Sequence, residues 1–133
     1  MVKKLALTTL TIGALIGVGY VVTLVAIKPV STDLSLVGQG KPALVLAYEN
    51  YSIAGGEALE RLRAVRPEYQ ERIEFIVADL GTPGGKAFAH RYRLVDGQAM
   101  FLRQDGQPLQ ATFIPADAQE LRSRLDTKLA AVE

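Results

Sequence analysis

The chain has 133 residues, enough for one domain of about 100 residues together with a tail or a membrane anchor. Its 15 basic residues nearly balance 14 acidic ones, so the charge gives no support for binding of nucleic acid. The absence of cysteine excludes disulfides, thiolate metal sites and cysteine nucleophiles, and a single histidine excludes a metal cluster built from several histidines.

The first segment has the composition of a membrane anchor. Residues 1–4 contain two lysines, and residues 5–27 contain no charged residue. As a helix this uncharged run would be about 34 Å long, and a bilayer core is about 30 Å thick. We therefore predict a cytoplasmic N-terminus at 1–4 and a transmembrane helix at 5–27 that acts as a signal anchor.

The flanking charges predict the orientation of this span. Lys3 and Lys4 precede it and only Lys28 follows it, which favours an N-terminus on the inside. The expected location is thus a single-pass inner (cytoplasmic) membrane protein with a periplasmic or otherwise extracytoplasmic C-terminal domain. A cleaved signal peptide is the alternative, but its apolar region is shorter, about 7–15 residues, and ends in a polar cleavage region that residues 24–29 lack.

Within the predicted span, Gly13 and Gly17 form a GxxxG pattern. Small residues at this spacing allow the close approach of another helix, which predicts packing against integral membrane protein subunits as well as contact with the lipid bilayer. The alternative is that glycine is simply common in membrane helices.

A linker at 28–40 is rich in Ser, Thr, Asp and Gly, and we expect it to be extended and flexible. A domain at 41–133 follows. Its hydrophobic periodicity predicts strands at 43–48, 73–78, 99–103 and 109–114, and helices at 57–65, 86–93 and about 115–131.

Three further patterns predict which side chains face the core. In the second helix Ala87, Phe88 and Tyr92 are expected to point inward. In the last strand the alternation of Leu109, Ala111 and Phe113 predicts one covered face. In the last helix Leu121, Leu125 and Leu129 form a core stripe.

The element order β-α-β-α-β-β-α resembles that of the thioredoxin-like superfamily. Residues 41–45 are similar to the family's first central strand, residues 87–94 to the helix before its cis-proline loop, and residues 101–108 to its hairpin. The resemblance implies a thioredoxin-like three-layer α/β/α fold with a mixed sheet, here preceded by a single transmembrane helix.

The chain departs from the family where the chemistry occurs. Tyr51-Ser52-Ile53-Ala54-Gly55 stands where the family has Trp-Cys-x-x-Cys, and Gly97-Gln98 stands where it has the cis-proline. Without proline a cis bond would cost about 3 kcal/mol more, so we expect this bond to be trans. Thiol–disulfide exchange needs two thiols. We therefore predict a redox-inactive member that is not an enzyme and binds no cofactor.

Other chemistries find little support in the sequence. Ser52 would be a nucleophile only beside a base, and His90 lies in a predicted helix that need not face it. Residues 81–86 lack the spacing of a phosphate-binding loop. Glu49, Asp79 and Asp96 match no metal-binding loop, and the last two are ordinary strand-end and turn residues.

Unlike the polar candidates above, the aromatic and apolar residues after the first strand indicate a binding surface. Tyr48, Tyr51, Ser52, Ile53 and Gln98 fall at the face where the family binds extended peptides, and they are our candidate partner-binding residues. The alternative is that the aromatic side chains tuck into their own loop.

The expected function is a structural or accessory subunit of a larger membrane protein complex of respiratory, photosynthetic or translocation type. The alternative is a periplasmic peptide- or client-binding assembly factor that uses the former active-site face. An enzyme centred on Ser52 is the remaining, disfavoured reading.

Overall fold

The computed structural model of the chain describes residues 29–133. The strands and helices run as follows: β1 (Ala43–Tyr48), α1 (Ile53–Tyr69), β2 (Glu74–Asp79), α2 (Pro83–Tyr92), β3 (Gln98–Leu102), β4 (Pro108–Phe113) and α3 (Ala118–Val132). The predicted span 5–27, with Gly13 and Gly17, lies outside the described residues. Within 29–133 no helix has both the length and the apolar character that crossing a bilayer requires.

The four strands form one mixed sheet in the order β2-β1-β3-β4. β1 and β2 are parallel, whereas β3 is antiparallel to both of its neighbours. Core residues of α1 and α3 cover one face of the sheet, and α2 covers the other. The predicted element order and the α/β/α layering are therefore confirmed for this part of the chain.

The central strand owes its place to the continuous apolar run predicted for it. Leu44 and Leu46 face α1 and α3, while Ala43, Val45 and Ala47 face α2, and all five are buried. A strand that is apolar on both faces is stable only when both faces are covered.

Two helices differ from the prediction. α1 begins at Ile53 rather than 57 because Ser52 caps it, and it continues to Tyr69 with Pro67 inside its last turns. In α2 the buried alanine is Ala89, whereas Ala87 is exposed. The prediction is confirmed for Phe88 and Tyr92, which are half-buried and pack against the core on this side of the sheet, and is wrong for Ala87 alone.

The prediction of a covered face on β4 is confirmed for Leu109, which is half-buried against the core, but is wrong for the other two residues. Ala111 is exposed, and Phe113 is 57% exposed. These residues pair with Met100 and Gln98 on the α2 side of the sheet, but α2 packs on β2 at the opposite edge. Nothing within 29–133 therefore covers the α2 side of β4.

The segment predicted to be a flexible linker is docked onto the domain. Val30 is only 8% exposed and belongs to the core, and the carbonyl oxygen of Ser31 accepts a hydrogen bond of 2.8 Å from the Val77 N–H. Farther along, the Gly40 N–H donates to the carbonyl oxygen of Gln104 at 3.0 Å. Leu34, Leu36 and Val37 also pack against the core on the α2 side, and the polar residues between them hid these contacts in the sequence.

A buried tyrosine at the end of α1 gives the domain a pH dependence. Burial and a 2.8 Å hydrogen bond to Asp126 raise the pKa of Tyr69 to about 12. A raised pKa stabilises the fold below the ordinary value near 10, and this stabilisation is lost as the pH rises through about 12. We expect the stability advantage of the unmodified chain over Tyr69→Phe to shrink across this range. Denaturant unfolding at several pH values measures it, and an advantage that stays constant would contradict the assignment.

Candidate functional site

Residues 51–55 and 97–98, which stand where the thioredoxin-like pattern has its active site, lie at one end of the sheet. β1 and β4 finish there, and α1 and β3 begin there. We call this the site end, and the opposite end, where β2 begins, the base.

A carboxylate from a distant loop occupies the start of α1. Asp96 Oδ2 accepts hydrogen bonds from the Ser52 hydroxyl and, at 3.2 Å, from the Gly55 N–H, while Oδ1 accepts one of 2.7 Å from the Glu49 N–H. The Ser52 oxygen also accepts a hydrogen bond of 3.4 Å from the Gly55 N–H. We call the three contacts of Asp96 the Asp96 latch.

The latch places a negative charge where helix geometry favours one. The first N–H groups of a helix have no partner within the helix, and the aligned peptide dipoles leave partial positive charge there. A thiolate at position 52 would be stabilised by the same groups. Here the chain supplies its own anion, which accepts a hydrogen bond from one of these groups, the Gly55 N–H.

Two glycines meet different requirements of the latch, space at position 55 and a left-handed backbone at position 97. A Cβ atom at Gly55 would lie 2.2 Å from Asp96 Oδ1, so the carboxylate can approach only because position 55 has no side chain. Gly97 has a φ of +86°, and its N–H donates to the carbonyl oxygen of Ala47 at 2.9 Å. The Gly97–Gln98 bond is trans, as the sequence predicts.

The five candidate partner-binding residues separate into two groups. Tyr51 is 96% exposed and Ile53 is 81% exposed. Tyr48, Ser52 and Gln98 are half-buried and hold the structure of the site end. Tyr48 packs against the core, Ser52 caps α1, and the Gln98 side-chain oxygen accepts a hydrogen bond of 3.0 Å from the Val95 N–H.

Sequence reasoning missed two apolar residues at the same end. Val95, 56% exposed, precedes the aspartate of the latch, and Phe113, 57% exposed, pairs with Gln98 across β3 and β4. Tyr51, Ile53, Val95 and Phe113 are all the strongly exposed large apolar side chains within 29–133. We call these four the apolar cap.

The other candidate groups do not join this site. His90 is exposed on α2, on the opposite face of the sheet from α1. Asp79 accepts a hydrogen bond from the nearby Gly81 N–H, and the Glu49 contact with Asp96 is made by its backbone. In the described part of the chain no group of acidic or histidine side chains is arranged to hold a metal ion.

The residues of loop 81–86 form a helix start. The Thr82 hydroxyl donates to the carbonyl oxygen of Asp79 at 2.8 Å and accepts a hydrogen bond from the Gly85 N–H at 3.1 Å. Thr82 is thus the cap of α2, as expected for a threonine followed by proline.

Solved structures define the class of this fold as thioredoxin-like. The chain is similar to an uncharacterized thioredoxin-like protein from Clostridium perfringens, with a TM-score of 0.62 and 15% identity over 72% of this chain and 77% of that one. It is also similar to the germline-specific thioredoxin Deadhead from Drosophila melanogaster, with a TM-score of 0.56 and 16% identity over 68% and 83% of the two chains.

A third similar structure is Trxlp from Edwardsiella tarda, with a TM-score of 0.52 and 19% identity over 66% of this chain and 84% of that one. Searches against protein families and against curated proteins find no match. At these identities the likeness establishes the fold.

Tyr51 is held in a conformation that disfavours any side chain. Its φ of +68° lies in the left-handed region, which costs a residue other than glycine about 1–2 kcal/mol. We expect Tyr51→Gly to leave stability unchanged or raise it by up to about 1 kcal/mol, because the exposed ring contributes little to the folded state. Chemical denaturation measures the change. A clear loss of stability would mean that the ring packs within the domain.

Proposed function

We propose that this protein is a membrane-anchored, redox-inactive thioredoxin-like subunit, structural or accessory, of a larger membrane protein complex of respiratory, photosynthetic or translocation type. The observation that carries the proposal is the apolar cap. Its four side chains belong to three separate stretches of sequence and lie at one end of the sheet. Exposed large apolar side chains that share one end of a domain are typical of protein contact surfaces.

The docked segment at the base supports this role. Only Lys28 and Pro29 separate the predicted span from Val30, which is buried in the core. Pro29 lines a cavity of about 470 Å³ with residues from the end of α1 and the start of β2, so the chain enters the domain at the base. An anchored domain would therefore be held close to the bilayer by its base.

In a domain held to the bilayer by its base, the apolar cap would face protein rather than lipid. The cap lies at the far end of β1, and a strand of six residues is about 20 Å long. The side chains of the cap would then stand about 20 Å or more from the base. We infer that the cap meets the extramembrane part of a partner subunit, while the span packs against that partner's helices.

The latch supports a role without redox chemistry. The chain has no cysteine, and the Asp96 carboxylate accepts a hydrogen bond from the Gly55 N–H at the start of α1, where a reactive thiolate would be stabilised. The Ser52 hydroxyl donates to the same carboxylate and caps the helix, which favours a structural serine.

The backbone near the cap favours a subunit over a client-binding factor. The Val95 N–H donates to the Gln98 side chain, the Gln98 N–H to the carbonyl oxygen of Val95, and the Gly97 N–H to that of Ala47. These donors are therefore occupied and do not pair with an extended peptide. Recognition by residues 95–98 then depends on their side chains rather than on these backbone donors.

Native electrophoresis after mild detergent extraction tests the proposal. The unmodified protein should migrate with a complex much larger than 14.4 kDa. Replacing both Tyr51 and Ile53 by glutamate should shift most of it to a free form, because buried unpaired charges weaken an interface by several kcal/mol. Ala64→Glu, at an exposed position of the same helix, is the matched control and should stay in the complex. Migration of the unmodified protein alone, beside intact complexes, would refute the subunit role.

A further inference from the structure

The two edges of the sheet differ in how they are covered. The outer edge of β2 is capped by the docked segment, where Ser31 pairs with Ile76. On the other side, β4 pairs only with β3 among the described residues. One edge of the sheet therefore presents unpaired backbone groups.

β4 lacks most of the features that protect edge strands. Such strands usually carry lysine or other charges, proline, or a bulge that prevents further pairing. Residues 108–113 contain no charged residue. Pro108 and a register irregularity at Phe101/Leu102 protect only the hairpin end, so the half of β4 that reaches Phe113 is open.

The two sides of β4 have different chemistry. On the α2 side, Ala111 and Phe113 are exposed, and Phe113 is part of the apolar cap. On the α3 side, the Arg124 guanidinium donates to the Thr112 hydroxyl at 3.1 Å, and the Lys128 ammonium donates to the Gln110 side-chain oxygen. A strand added here would meet apolar groups on one side and cations on the other.

We propose that β4 is a docking edge for one extended segment of the partner, a strand in which apolar residues alternate with acidic ones. Lys128 contacts an amide and forms no ion pair within 29–133, whereas Arg124 is paired with Glu120 at 2.5 Å. A carboxylate on the added strand would give Lys128 its counter-charge. The apolar side chains of the strand would extend the cap from Phe113 along Ala111. The inference deepens the proposed function, on which it rests for the identity of the partner as a subunit.

Charge argues against a second copy of this chain as the occupant. Two β4 strands related by a twofold axis would place both α3 helices on the same face of the joined sheet. The two Lys128 ammonium groups would then lie on the same side of the joined sheet, and β4 itself supplies no carboxylate to either. Like charges placed side by side destabilise such a contact.

Two synthetic peptides of about eight residues test the proposal on the full chain in detergent micelles. One alternates valine with glutamate, and the other alternates valine with lysine. Fluorescence anisotropy should give a Kd about tenfold lower for the acidic peptide. Hydrogen exchange should show that this peptide protects the amides of residues 108–113 in the unmodified chain.

Variants assign the charge preference to one residue. Lys128→Glu should raise the Kd of the acidic peptide about tenfold, and Lys128→Arg should preserve it. Lys86→Glu, an exposed lysine of α2 on the other face of the sheet, should leave the Kd unchanged. Equal affinity for the two peptides would overturn the proposal, and so would protection of amides outside β4. Dimers of this chain that persist in the presence of the acidic peptide would overturn it as well. Native electrophoresis of the glutamate variants at Tyr51 and Ile53 tests the subunit role independently.

Discussion

Asp96→Ala should lower the free energy of unfolding by about 2–4 kcal/mol. The change leaves the Glu49 N–H without its acceptor, removes one of two acceptors from the Gly55 N–H, and takes a negative charge away from the start of α1. Charge-assisted hydrogen bonds and helix-dipole interactions contribute about 0.5–3 kcal/mol each, and they do not add fully. Equilibrium urea unfolding of the full chain in detergent, followed by circular dichroism, measures the loss.

Asp105→Ala is the matched control for this prediction. Asp105 lies in the exposed β3–β4 turn, where its carboxylate accepts one hydrogen bond of 3.0 Å from the Gln107 N–H. Its replacement should cost less than about 1 kcal/mol. If Asp96→Ala costs no more than Asp105→Ala, the latch does not hold the site end together.

The latch also bears on the proposed association. It fixes the loop that carries Val95 against the turn that carries Tyr51 and Ile53, and these are three of the four residues of the apolar cap. A surface held in its binding conformation loses less entropy when it binds. Asp96→Ala should therefore weaken migration with the complex under conditions in which the variant is still folded.

The sequence could not reveal the latch because its partners are far apart along the chain. Asp96 is separated by 44 residues from Ser52, and its Asp-Gly neighbourhood has the composition of an ordinary turn. The glycine at position 55 was visible, but its meaning depends on a carboxylate that only the fold brings there. The departure from the family's cysteine pattern predicted where the site lies. Only the tertiary structure shows that Asp96 occupies it.

Hydrophobic periodicity along the sequence predicted the elements well where burial in the core alone decides the pattern. The apolar run of β1 and the leucine stripe of α3 gave both the element and its buried face, because each covers a complete core surface. Periodicity failed for β4 and for Ala87 in α2, where burial depends on which other element packs against the residue. It failed again for Val30, since a single apolar residue has no period.

Gly55→Ala should destabilise the domain by about 2–3 kcal/mol, although alanine is the better helix former by about 1 kcal/mol. The new Cβ would lie 2.2 Å from Asp96 Oδ1 and displace the latch. Gly56→Ala is the matched control, because a Cβ there meets nothing within 4 Å, and it should raise stability by up to about 1 kcal/mol.

A double-mutant cycle separates the latch from any other effect of a side chain at position 55. In the Asp96→Ala background the carboxylate is gone, so Gly55→Ala should cost nothing and should recover part of the lost stability. The two single losses should therefore not add, and urea unfolding of the four proteins measures the coupling directly. Fully additive losses would show that Gly55 and Asp96 act independently, and the need of the latch for space would then not be the reason for glycine at position 55.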